Sequence, residues 1–198
     1  IKPVKGVSPQ FGKDCYLAEN ATVVGDVVMG DACSVWFNAV VRGDVNSIRI
    51  GNKVNIQDNA VVHCTYEKAA TTIGNHVSIG HGAIVHGGTI GENCLIGMNS
   101  VIMDDVVIED ECIIGALCFV PANTVIPRRS LVVGNPAKVI KEVSDDMIAW
   151  KTKGTALYQA LPKECYETLI PCDPLEEVEA DRPSQEKMYQ TWETIKKR

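Results

Sequence analysis

The chain carries four histidines, His63, His76, His81 and His86, amid polar residues that could act with them: Arg42-Gly43-Asp44 and Asn55-Ile56-Gln57-Asp58. Neutral imidazole is a common ligand for divalent zinc, and three imidazoles plus one water make up the ligand set of a catalytic zinc site with an open position. His63 directly follows Val62, His86 directly follows Val85, and His81 is the second residue after Ile79. That chemistry requires an architecture that brings residues 63, 81 and 86 to one place.

The architecture is written as a repeat. From Ile90 an aliphatic residue recurs every six positions: Ile96, Ile102, Ile108, Ile114, Val120, Ile126 and Val132. The same step runs from Leu17 to Val41, from Ile50 to Val62 and from Ile73 to Val85. A small residue usually stands four places after the aliphatic one, as at Cys33, Ala39, Ala60, Ala83, Cys94 and Ser100. A period of six fits neither a helix nor a simple meander. It fits an all-β solenoid, a left-handed parallel β-helix in which each hexad gives a short strand and a turn, and three hexads close a triangular coil. The handedness comes from the hexad pattern, because general crossover rules favour the opposite hand. The step breaks between Val41 and Ile50, between Val62 and Ile73 and between Val85 and Ile90. The first two breaks predict small loops around residues 44–48 and 65–71, on the side where function collects.

Counting hexads places the histidines. Three hexads separate Val62 from Val85, so His63 and His86 occupy the same slot on adjacent coils, about 5 Å apart at the backbone. Arg42 falls one coil below His63, and Asp58 one coil below His81. His81 lies on a neighbouring face, where it reaches the His63/His86 pair of another subunit if three copies assemble about a threefold axis. Arg42, Asp44 and Asp58 read either as groups that orient the ligands or as an ion-pair set across that interface. Gln57 is placed to hydrogen-bond a metal-bound hydroxide. His76 matches no slot of this constellation and reads as a surface or packing residue.

Bulk composition narrows the partners. The chain is 45% hydrophobic with a net charge of −6, enough to bury a core and without the basic footprint that nucleic acid or an anionic membrane requires. No apolar run is long enough to span a bilayer, and the opening residues IKPVKGVSPQFG lack the apolar core of an export leader, so a cytoplasmic location is expected. Eight cysteines form no CxxC pair, and Cys33, Cys94, Cys112 and Cys118 share the small-residue slot, as reduced packing residues would. The division expected is a β-helix domain over 1–140, closed by Asn135-Pro136, and a helical extension over 141–198. Its first helix starts at Ser144 and runs to about 161, with Gly154 as a weak point, and is expected to pack on the solenoid and cap a coil edge. A second amphipathic segment covers about 183–197.

These residues carry a resemblance. Val-Arg-Gly-Asp at 41–44, Asn-Ile-Gln-Asp-Asn at 55–59, Val-His-Cys at 62–64 and Ile-Gly-His-Gly-Ala-Ile-Val-His-Gly at 79–87 resemble the γ-class carbonic anhydrase-like hexapeptide proteins. Ala149-Trp150-Lys151, Gly154-Thr155, Tyr158-Gln159 and Pro174-Leu175-Glu176 resemble the branch of phenylacetate-degradation (PaaY) and carnitine-operon (CaiE) type. The resemblance spans nearly the whole chain. It implies a homotrimer with zinc, or in some members iron or cobalt, on His63, His81 and His86. It also implies Gln57 and Asn55 near the bound water and Arg42 with Asp44 as the interface pair. Where the archetypal enzymes carry a glutamate after Arg-Gly-Asp this chain has Val45, and Glu67 is a weak stand-in for a second one, so slow CO2 hydration is expected. Four activities compete: hydration of CO2 to bicarbonate, metal-dependent cleavage of an acyl-CoA thioester, acyl transfer, and a non-catalytic trimeric scaffold.

Overall fold

The computed structural model describes residues 1–182 and Trp192. The hexads form a left-handed parallel β-helix of about seven turns, with each inward aliphatic stacked on its counterpart one coil away. On one face Val41, Val62, Val85, Ile102 and Val120 stack in this way, and all are fully buried. The interior of the solenoid is buried: its inward slots are chiefly aliphatic, and the small-residue slot is filled by residues such as Ala39, Ala60, Ala83 and the buried thiols of Cys33, Cys94, Cys112 and Cys118. Burial drives this column, and parallel backbone pairing fixes its register.

One strand links two faces. Val40–Ile50 pairs through its first half with Val61–His63 and through its second half with Thr71–Ile73. The interruption expected as a loop around 44–48 therefore lies inside a strand. Gly25 pairs with Gly43 and Val27 with Ile48, so residues 44–47 oppose Asp26 alone and are accommodated as a corner bulge. The second interruption is a small closed turn, with Thr65 and Ala69 bridged antiparallel. Corners elsewhere use left-handed backbone at Asn38, Asn59, Asn93, Asn99 and Asn123, and also at His76, Glu111 and Leu117. His76 is thus a corner residue.

The solenoid ends where Ser130–Val133 is followed by Lys138–Glu142, which returns antiparallel and covers the last coil. On this face the edge is closed by that strand, and not by the helix. Among the described residues there is one α-helix, Asp145–Thr168, capped by the Ser144 hydroxyl, which accepts from the Met147 N–H at 3.4 Å. It runs past both Gly154 and Pro162. The second segment expected at 183–197 lies outside the described residues except for Trp192, whose ring centroid is 6.1 Å from that of Trp150. Among the described residues no helix is long and apolar enough to cross a membrane.

The helix lies along a face of the solenoid. Met147 packs with Ile113, Lys151 reaches Asn93, Thr155 meets Ser78 at 3.0 Å, Tyr158 sits on Trp36 and Tyr166 on Tyr16. Its 24 residues span about 36 Å at 1.5 Å per residue, enough to cross seven stacked strands spaced about 4.8 Å apart. Lys151 is 4% exposed. Its ammonium donates to the His76 carbonyl and, at 2.9 Å, to Asn93 Oδ1. Burial pushes its pKa down to about 7.

That burial has a consequence for stability. Between pH 7 and 10 the unfolded chain holds a proton on Lys151 that the native chain sheds, so unfolding free energy rises with pH across this window. Urea unfolding at a series of pH values should show that Lys151→Met removes this rise. A slope identical to that of the parent protein would contradict the assignment.

Candidate metal centre

The alternation of a strand explains why the pair faces outward. In Ile84–His86 the middle residue Val85 points into the core, so Ile84 and His86 share the outer surface, as Val61 and His63 do one coil below. His86 pairs in register with His63, and the ring centroids are 5.1 Å apart. His63 Nδ1 and His86 Nε2 approach to 3.2 Å.

The other nitrogen of each ring meets a carboxylate. His63 Nε2 lies 3.1 Å from Asp44 Oδ1, and His86 Nδ1 lies 3.0 Å from Asp104 Oδ1. A carboxylate accepts, so in neutral rings those nitrogens would carry the protons and the two facing nitrogens would carry lone pairs. Two lone pairs directed at one another repel unless a cation lies between them. Tetrahedral bonds of about 2.0–2.1 Å place neighbouring nitrogens about 3.3–3.4 Å apart, close to the separation found here. The donor set therefore fits a divalent ion.

Asp44 sits in the corner bulge and is held by Arg42 on the same strand. Burial raises its pKa, but hydrogen bonds from His63 and Arg42 outweigh that effect and hold the carboxyl below its ordinary value. The bulge depends on Gly43, where a Cβ would stand 2.6 Å from the Asp26 carbonyl oxygen. Val45, in the same bulge, packs against the core, and Glu67 occupies the exposed tip of the 65–69 turn.

His81 lies on the helix-covered sheet, following Ser78–Ile79. Its Nδ1 is 2.7 Å from Asp58 Oδ2, directly below it because Ile56 pairs with Ile79. Its Nε2 faces the Tyr158 hydroxyl at 3.3 Å. The structure thus brings His63 and His86 together and keeps His81 apart from them in the same chain. Among the described residues no three His, Cys, Asp or Glu side chains of one chain form a metal-sized cluster. Each of the three histidines has an aspartate partner, the arrangement that fixes tautomer and orientation in metal-binding imidazoles.

Gln57 and Asn55 stand behind His81. Asn55 Nδ2 donates to Ser78 Oγ at 2.9 Å, and Gln57 Nε2 donates to Asn55 Oδ1 at 3.0 Å. Asn55 is 2% exposed, so it anchors Gln57 instead of facing the opening. Gln57, His81 and Tyr158 line a largely apolar cavity of about 480 Å³ between the sheet and the helix, walled by Leu95, Met147 and Trp150.

Sequence reasoning missed two of these partners. Asp104 is the second residue after Ile102 and so lies one coil above Gly87, a position the same hexad count yields. Tyr158 carries no such signal, because its contact with His81 depends on where the helix docks.

Comparison with known proteins gives a consistent set of relatives. The family model described as "Bacterial transferase hexapeptide (six repeats)" matches residues 70–102 and 87–122. The chain is similar to the "Probable carbonic anhydrase" of Methanocaldococcus jannaschii, 55% identical over 138 residues that cover 70% of this chain and 86% of that protein. It is similar to the "Carnitine operon protein CaiE" of Escherichia coli O157:H7, 38% identical and covering 90% and 91% of the two chains. Among solved structures, the hexapeptide transferase family protein from Anaplasma phagocytophilum superposes with a TM-score of 0.78 at 36% identity, covering 82% of this chain and 96% of that one.

The buried chain of amides and hydroxyls is open to a direct check. Asn55→Ala leaves the buried Gln57 amide without its acceptor and removes one of the two partners of the Ser78 hydroxyl, which keeps Thr155, at a cost of about 1–3 kcal/mol. Chemical denaturation should register a loss in that range, and an unchanged midpoint would contradict the network.

Proposed function

We propose that this chain, which belongs to the γ-class carbonic anhydrase-like hexapeptide-repeat family, is a trimeric metalloenzyme that hydrates CO2. One zinc ion, with iron or cobalt as alternatives, is held by His63 and His86 of one copy and His81 of the next. The observation that carries this reading is the pair of imidazole nitrogens 3.2 Å apart, each ring backed by an aspartate. A divalent ion bound there supplies a Lewis acid that brings the pKa of a coordinated water down to about 7.

The chain's own residues do the positioning. Asp44, Asp104 and Asp58 orient His63, His86 and His81, and Arg42 holds Asp44. Gln57, fixed by Asn55, presents its remaining hydrogen-bonding capacity beside His81. The assembly is supported by the outer surface around the pair. Val61, Ile84, Val101 and Phe119 stack in register on that face, and Ile84 is exposed, so the histidines emerge from an apolar strip suited to being covered by another copy. A cyclic trimer then makes three equal sites.

One feature favours a second reading. The apolar cavity beside His81 offers far more room than a triatomic substrate needs, and it suits the acyl part of a thioester cleaved at the same ion. The chain's similarity to CaiE relatives along 90% of its length accompanies this reading without deciding it.

Stopped-flow hydration of CO2 by zinc-replete protein should exceed the buffer rate, although slowly, because Val45 and Glu67 leave proton exit poorly served. No rate above buffer, with metal content confirmed, would reject hydration, and hydrolysis of acyl-CoA esters by the same preparation would then establish the second reading. His81→Ala should abolish stoichiometric zinc, measured by elemental analysis, while circular dichroism stays that of a folded solenoid. Full metal retention would defeat the shared site.

A further inference from the structure

The turn at 65–69 interrupts the hexads and stands beside the histidine pair. Its residues converge on a carboxylate. Ile102 stacks on Val85, which places Asp104 directly above Gly87. A Cβ at Gly87 would lie 2.5 Å from Asp104 Oδ1, so glycine leaves the space through which the carboxylate leans down to His86. Asp104 Oδ1 is 3.0 Å from His86 Nδ1 and accepts from Thr65 Oγ1 at 2.8 Å. Its Oδ2 lies 3.6 Å from Lys68 Nζ. The carboxylate side chain is 14% exposed. The turn itself is closed by the Thr65 N–H donating to the Ala69 carbonyl at 3.0 Å, and Asn46 Nδ2, from the corner bulge, donates to the Thr65 carbonyl at 3.3 Å.

We propose that Asp104 is the positioning residue for His86 and that the 65–69 turn sets its hold on the metal ligand through Thr65. This rests on the metal reading above. Asp104 accepts the His86 Nδ1 proton and so commits that ring to the tautomer whose Nε2 lone pair faces His63. Thr65 donates to the same carboxylate oxygen from beside the ring, its hydroxyl 3.4 Å from His86 Nδ1, and so holds Asp104 against the imidazole. Lys68 adds little, because its ammonium is half exposed and screened. The turn is thereby linked to the ion through two hydrogen bonds without contributing a ligand. Asp44 has the equivalent relation to His63, with Arg42 in the place of Thr65. The two stacked imidazoles are clamped from opposite sides.

The test measures zinc affinity of the full chain by competition with a chromogenic chelator, with the visible spectrum of the cobalt-loaded protein as a second readout. Asp104→Asn keeps the size and removes the charge. It should weaken zinc binding by about 10- to 100-fold and shift the cobalt bands, while the melting temperature of metal-stripped protein stays that of the parent. Thr65→Val, which retains Asp104, should weaken binding in the same direction by less. Parent-like affinity and spectrum in Asp104→Asn would overturn the proposal and leave the metal site standing. A parent protein that takes up no zinc would overturn both. If Asp104→Asn fails to fold, Thr65→Val decides, since unchanged affinity in that variant removes the turn from the account.

Discussion

Two imidazoles held one coil apart, with ring nitrogens facing across 3.2 Å, are the constraint around which the other features are arranged. The separation follows from the solenoid. Adjacent coils stack at the spacing of paired strands, and in-register pairing of Val61–His63 with Ile84–His86 leaves the side chains no freedom to slip past each other. A slip of either strand by one residue would turn its histidine into the core and its valine out. The hydrophobic column therefore sets the position of the site as well as stabilising the fold.

Polar groups around the pair are placed by departures from the repeat. The corner bulge carries Asp44, and the closed turn carries Thr65, which steadies Asp104. Without these insertions the strand would offer only two stacked histidines on an aliphatic face. The helix contributes on the other face. It covers Asn55 and Ser78, brings Tyr158 to His81, and buries Lys151, a cation whose pKa is lowered to about 7 in that setting. The two halves of the proposed centre thus sit on different sheets of one chain, and symmetry is what brings them together.

Much of this was legible in the residues because the repeat converts sequence distance into position. Three hexads per coil put His86 on His63 and His81 on Asp58, and both stackings are present. Asp104 is equally accessible to that count, which the sequence reading carries one coil below the histidines, to Arg42 and Asp58, but not one coil above. Where chain geometry is not periodic the reading failed. The nine-residue gap after Val41 reads as a loop, yet strand pairing continues across it because a parallel corner can absorb residues as a bulge. Gly154 reads as helix-weakening, yet the helix runs past it and past Pro162, because packing along the solenoid outweighs local propensity. Contacts such as Tyr158 with His81 depend on docking that no local pattern encodes.

The central claim is that one ion is shared between copies, and complementation between subunits tests it most directly. Mixing His81→Ala chains with His63→Ala/His86→Ala chains, then dissociating and reassembling them, creates interfaces in which an intact pair faces an intact His81. Random cyclic trimers contain such an interface at about one position in four. The account predicts that zinc content, absent from either variant alone, recovers to about a quarter of the parent value. Recovery to nothing, with mixed trimers demonstrated by mass, would contradict it.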